Sequence, residues 1–115
     1  MSAAVKLPVT IGGQDLRLTF KFGVMRQAEQ ELGRAITTEL ASGAVGLDVL
    51  SCLFWAALQP DHRMSRDASD DLVDAAGLAQ VGQWIGEGVG RYFGTGDVAE
   101  QEEAGNVQKA AKKGR

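Results

Sequence analysis

The chain is poor in the residues that do covalent, redox or metal chemistry. It has a single cysteine, Cys52, so no internal disulfide can form and a reducing compartment suits it. It has a single histidine, His62, and neither an HExxH nor a CxxC spacing, so no familiar metal-ligand set is present. A GxGxxG between a strand and a helix is missing too. The glycines from Gly82 to Gly90 lie inside a helical pattern, with no phosphate-cradling lysine after them. No apolar run reaches the ~20 residues of a membrane span. The opening MSAAVKLPVTIGG lacks the apolar core of a signal peptide, which leaves the cytoplasm as the default. The net charge of -3 supplies neither a basic footprint for nucleic acid nor a polybasic membrane patch.

What remains is an ordinary globular composition. In 115 residues, 44% are apolar and 23% charged, enough for one domain around a single modest core. The expected fold class is α+β: an N-terminal β-hairpin followed by about five α-helices in a small, mostly helical domain over residues 1–94, with a flexible charged tail over 95–115.

The chain is organised around LRLTFKFGVMRQAEQELG, from Leu16 to Gly33. Leu16, Leu18, Phe20 and Phe22 alternate with Arg17, Thr19 and Lys21, the period of a strand with one buried face. Gly23 breaks the pattern. Val24, Met25, Ala28 and Leu32 then fall on one side of a helix, and Gly33 sits where a left-handed helix end belongs. Upstream, Val5, Leu7, Val9 and Ile11 mark a first strand, and Gly12-Gly13 suits a tight hairpin turn. Pro8 cannot donate to a ladder, so it belongs on an edge or with its nitrogen toward solvent. Two strands alone are marginal in water, so their apolar face must pack on helices.

Four more helices are expected. Thr37 or Thr38 can cap a short one whose inward residues are Ile36 and Leu40. Leu47 to Leu58 is the most apolar stretch. Leu47, Leu50, Leu53, Phe54, Ala57 and Leu58 repeat at helical spacing, and Val49, Cys52, Trp55 and Ala56 extend the surface almost all round. Such a helix is central, or partly reserved for a partner. Ser65 can cap a helix over Arg66 to Ala76, with Ala68, Leu72, Val73 and Ala76 inward. The last helix runs from about Leu78 to Phe93, with Val81, Ile85, Val89 and Tyr92 as its stripe. Its glycines weaken it by about 1 kcal/mol each but permit close backbone approach.

Each residue with chemical potential has a plain reading that outweighs the reactive one. His62 reads as a solvated loop histidine and Cys52 as a small buried hydrophobe. Asp67, Asp70, Asp71 and Asp74 share a helix face, but without the glycine and terminal glutamate of a calcium loop they read as a solvated acidic surface. Lys109 to Arg115 is basic, short and free of aromatics, the composition of a solvated tail rather than a nucleic-acid contact. Trp55 and Trp84 suit either a core or an interface. Catalytic, cofactor-binding and metal-binding residues are thus none.

The layout itself carries a likeness. A GG hairpin, an aromatic strand running into a helix that ends EQELG, an LSCLFWAAL helix, MSRDASDDLVDAAG, and a final helix ending RYFG together resemble the small tail assembly chaperones of long-tailed bacteriophages, in the branch shared with gene transfer agents. The likeness spans Val5 to Gly94. It implies a protein that is not an enzyme and needs no cofactor. Such a chaperone binds the tape measure protein, helps recruit tail tube subunits around it in the host bacterial cytoplasm, and is absent from the mature virion. In many such phages a ribosomal frameshift near the end of the reading frame yields a longer form, and the codons of Lys112-Lys113 could supply a slippery run.

On this reading the Leu47–Leu58 and Leu78–Phe93 helices line a groove for a helical client. Trp55, Trp84, Phe54, Tyr92 and Phe93 are then the partner-binding side chains. A structural tail or head–tail connector subunit, retained in the particle, is the alternative, which mass spectrometry of virions separates. A small DNA-binding regulator is the third, disfavoured by the acidic balance. Homo-oligomerisation through a sheet edge stays open.

Overall fold

The structure is a computed structural model that describes residues 4–42 and 45–94; the segment read above as a tail, 95–115, lies outside the described residues. The alternating N-terminal residues form strands β1 (Val5–Ile11) and β2 (Gln14–Phe20), paired antiparallel with Leu7 opposite Leu18 and Val9 opposite Leu16. Gly12 and Gly13 turn the chain with φ of +57° and +81°, the double left-handed geometry whose twist matches the strands. Pro8 lies opposite Arg17, whose N–H points away from β1 and donates to His62 Nε2 at 3.0 Å. Alternation along the ladder therefore turns the Pro8 nitrogen outward as well, where no donor is needed.

The strand period stops earlier than the alternation suggests. Helix α1 spans Phe22–Leu32, capped by the extended Lys21, and Gly23 lies within it rather than at a hinge. Phe22 is accordingly no strand residue. A helical period sets it roughly 100° away from the centre of the Val24–Met25–Ala28 face, and it is 69% exposed. At the other end Gly33 takes φ +80° and donates to the Glu29 carbonyl, as expected.

Helix α2 (Ile36–Ala41) is not capped by Thr37 or Thr38, which lie inside it. Its N-cap residue is Ala35, and the free N–H of Ile36 is taken by Glu29 Oε2 at 2.8 Å, so a carboxylate of α1 does the capping. Arg34 then joins Glu39 at 3.0 Å to Asp48 at 2.9 Å, tying α2 to the first turn of the next helix.

Helix α3 (Leu47–Leu58) is the centre of the molecule, packed against α1, β2 and the two helices that follow. Val49, Cys52, Leu53, Phe54, Ala56, Ala57 and Leu58 are buried, which accounts for its near-continuous apolar sequence. Its first residue, Leu47, expected inward, is instead 68% exposed.

Ser65 caps helix α4 (Arg66–Ala76), accepting the Ala68 N–H at 3.0 Å. Leu72, Val73 and Ala76 pack against the core as expected, and the inward face differs only in the first turn. Ala68 is exposed, and Ser69 is fully buried, its hydroxyl satisfied by the Arg66 carbonyl at 3.0 Å. Helix α5 (Leu78–Tyr92) follows after Gly77 alone, whose φ of +96° turns the corner. Val81 and Ile85 are buried as expected. The anticipated close approach occurs at one glycine: a β-carbon on Gly88 would lie 2.1–2.5 Å from three atoms of the Phe20 ring, whereas Gly82 and Gly86 have nothing within 4 Å.

Candidate functional site

The corner between α3 and α4 shows what the first tryptophan does. Trp55 is half-buried, and its indole Nε1 donates to the Met64 carbonyl at 2.9 Å. Gln59 reaches back to the Trp55 carbonyl at 2.8 Å and accepts from Met64 N–H at 3.2 Å. The Arg66 guanidinium lies 5.8 Å from the indole centroid and bridges Glu31 at 2.9 Å and Ser51 at 3.0 Å. Trp55 is thus the clamp of the 59–65 loop. Its polar tip is already used, and the cation over its face is partnered.

His62 departs from the solvated reading. It is half-buried, and its Nε2 accepts the Arg17 N–H, so that nitrogen carries no proton in this arrangement. Next to it Thr19 is buried, its hydroxyl donating to Asp61 at 3.3 Å. The loop therefore roofs the outer edge of β2. His62→Ala should cost about 1 kcal/mol, the usual net value of one hydrogen bond, read as a lower urea midpoint together with faster exchange of the Arg17 amide. An unchanged midpoint and unchanged exchange would mean that the roof is not held there.

Cys52 keeps its plain reading. It is buried, and burial pushes its thiol up, away from the reactive thiolate. Elsewhere the hydrogen bond from Arg34 holds the Asp48 carboxyl below the usual carboxylate range, and Asp48 in turn, with Glu39, raises Arg34. Among the described residues no three histidine, cysteine, aspartate or glutamate side chains are grouped to hold a metal ion, and no helix is long and apolar enough to cross a membrane.

Of the five side chains nominated for a partner, Phe54 is corrected outright. It is 0% exposed, in the middle of α3, and has no surface to offer. A helix hydrophobic all round gives no signal of which aromatic faces out, and the neighbouring Trp55 took the outer position. Trp84 is half-buried against the core from α5. Tyr92 is half-buried, and Phe93 is 44% exposed at the end of α5, the two rings meeting edge to face at 5.2 Å. No family model, curated protein or solved structure matches the chain.

Two grooves with apolar linings are open at the surface, and the second of them touches both α3 and α5, the helices expected to form one, though neither tryptophan lines it. The first, about 330 Å³, lies between α2 and the end of α5 and is lined by Leu40, Ala41, Val89 and Phe93, with Thr37 at its rim. The second, about 390 Å³, lies where the start of α3 meets the α4–α5 corner, with Leu47, Leu50, Val73 and Leu78 as its apolar lining and Asp70 and Asp74 on one wall. Leu40 and Val89 were legible as helix-face residues but not as a shared rim, because nothing local in the sequence says that α2 lies beside the end of α5.

Proposed function

We propose that this protein is a tail assembly chaperone of a long-tailed phage or gene transfer agent. It binds an apolar helical stretch of the tape measure protein and helps gather tail tube subunits around it. The observation that supports this is the groove between α2 and α5. Its rim is carbon from Leu40, Ala41, Val89 and Phe93, and Phe93 is left half-open to solvent. An amphipathic client helix laid there would bury its i, i+3, i+4 side chains against that rim, which is how small helical proteins take helical partners. The likeness in layout from Val5 to Gly94 supplies the identity of the client. The buried Cys52, and His62 engaged to Arg17, fit a protein that works by holding rather than by chemistry.

Co-expression with the tape measure protein encoded beside it tests the reading. A soluble complex that copurifies, and that Leu40→Asp or Phe93→Asp abolishes, is the expected result. A tape measure protein that stays insoluble, with no complex formed by the unaltered chain, rejects it.

A further inference from the structure

The second groove differs from the first in charge. Leu47 is 68% and Leu78 49% exposed at its mouth, a large apolar surface for so small a protein. One wall is α4, and α4 is acidic along its outer side: Asp67, Asp70, Asp71 and Asp74. Among the described residues no ion pair engages any of these four carboxylates. Arg66, the nearest cation in sequence, is spent on Glu31 and Ser51. Asp70 accepts from Ser51 at 2.8 Å, which fixes one oxygen toward the groove wall. An occupant that matches this surface has a short apolar edge set among cations.

The chain contains such a segment. Lys109, Lys112, Lys113 and Arg115 are its densest run of positive charge, and Val107, Ala110 and Ala111 interleave with them at the i, i+3, i+4 spacing of one helix side. These residues lie outside the described part of the structure, which ends at Gly94. The distance is within reach. Helix α5 has 15 residues, so its Leu78 end is about 22 Å from its last turn. The fifteen steps from Gly94 to Lys109 can span up to about 50 Å.

We propose that the basic segment from Val107 to Arg115 docks back into the α3–α4–α5 groove of its own chain. Val107, Ala110 and Ala111 cover Leu47 and Leu78, and the lysines lie along Asp70 and Asp74. The contact is small and its apolar side chains short. Being intramolecular, it meets a loop-closure cost in place of the larger bimolecular one and can hold where the free peptide would not. It neutralises α4, whose four aspartates make no ion pair among the described residues, and covers an apolar mouth that would otherwise meet other proteins. It is independent of the client groove, which lies at the other end of α5.

Carbodiimide cross-linking of the full-length protein at low concentration tests it, read by mass spectrometry on an equal mixture of light and nitrogen-15 chains. The expected products join Asp70 or Asp74 to Lys109, Lys112 or Lys113 within one chain. Their yield should fall roughly fivefold or more on raising salt from low to about 0.5 M, as screened surface pairs do. In parallel, Lys109→Glu, Lys112→Glu and Lys113→Glu together should shift the methyl resonances of Leu47, Leu50, Val73 and Leu78 and leave those of Leu40 and Val89 in place. Adding Asp70→Lys and Asp74→Lys should restore them. Cross-links spread evenly over carboxylates elsewhere, or mixed-isotope products showing that the lysines come from a second copy, overturn the proposal. So do methyl resonances that the charge reversal leaves unmoved.

Discussion

Gly88→Ala should lower the stability of the domain by about 1–2 kcal/mol, while the same change at Gly82 or Gly86 raises it. The added β-carbon at 88 would fall inside the van der Waals envelope of the Phe20 ring, which is itself fully buried and has nowhere to retreat. Overpacking a core by one methyl costs about 1–3 kcal/mol and sometimes more. Exchanging glycine for alanine within a helix returns about 1 kcal/mol. At Gly82 and Gly86, with open space around them, only the second effect operates. In a domain of this size the drop at 88 corresponds to roughly 5–15 °C in melting temperature. Phe20→Leu in the Gly88→Ala background should recover part of the loss, the signature of two residues coupled through one contact. Equal melting temperatures for the 86 and 88 variants would mean that α5 does not press on β2 where the structure places it.

The second large effect separates core from surface. Phe54→Ala should cost about 3–5 kcal/mol, enough to leave much of the protein unfolded, because the ring is wholly enclosed and its removal leaves a cavity. Phe93→Ala should change stability by no more than about 0.5 kcal/mol. On the proposed function, however, it should weaken the complex with the tape measure protein about 30-fold, the effect of losing a hot-spot aromatic. Thermal melts and a binding titration on the two variants give the comparison. The reverse outcome, a stable Phe54→Ala protein that no longer binds, would put the wrong ring in the core.

Local patterns in the sequence carried most of the elements. The alternation from Val5 to Ile11, the Gly12-Gly13 turn, the stop at Gly33 and the Ser65 cap are each written within a few residues, and each is found in place. What failed to show locally depended on distant neighbours. Phe22 continues the strand alternation on paper, yet helix α1 claims it once Val24, Met25 and Ala28 turn toward α3. The cap of α2 comes from Glu29, seven residues back, not from the threonines beside it. His62 is engaged 45 residues away in sequence, at Arg17, so no reading of its own surroundings finds the bond. In the candidate site Phe93 and Tyr92 were legible as the end of an apolar stripe, whereas Phe54 and Trp55 could be told apart only by packing. The rims at Leu40 and Leu47 arise from helices that meet in space and not in sequence.

Pro8 on one side of the hairpin and the His62 roof on the other have a consequence for recognition. A protein with a bare strand can zip onto almost any extended peptide through main-chain amides, with little regard to sequence. Here one margin lacks its central amide and the other has an amide already taken by a side chain of the same molecule. Strand addition is discouraged at both margins, so on the proposed function discrimination between clients falls to the size and shape of side chains such as Phe93 and Leu40. On that reading selectivity rests on a few exchangeable side chains and can be retuned without touching the sheet.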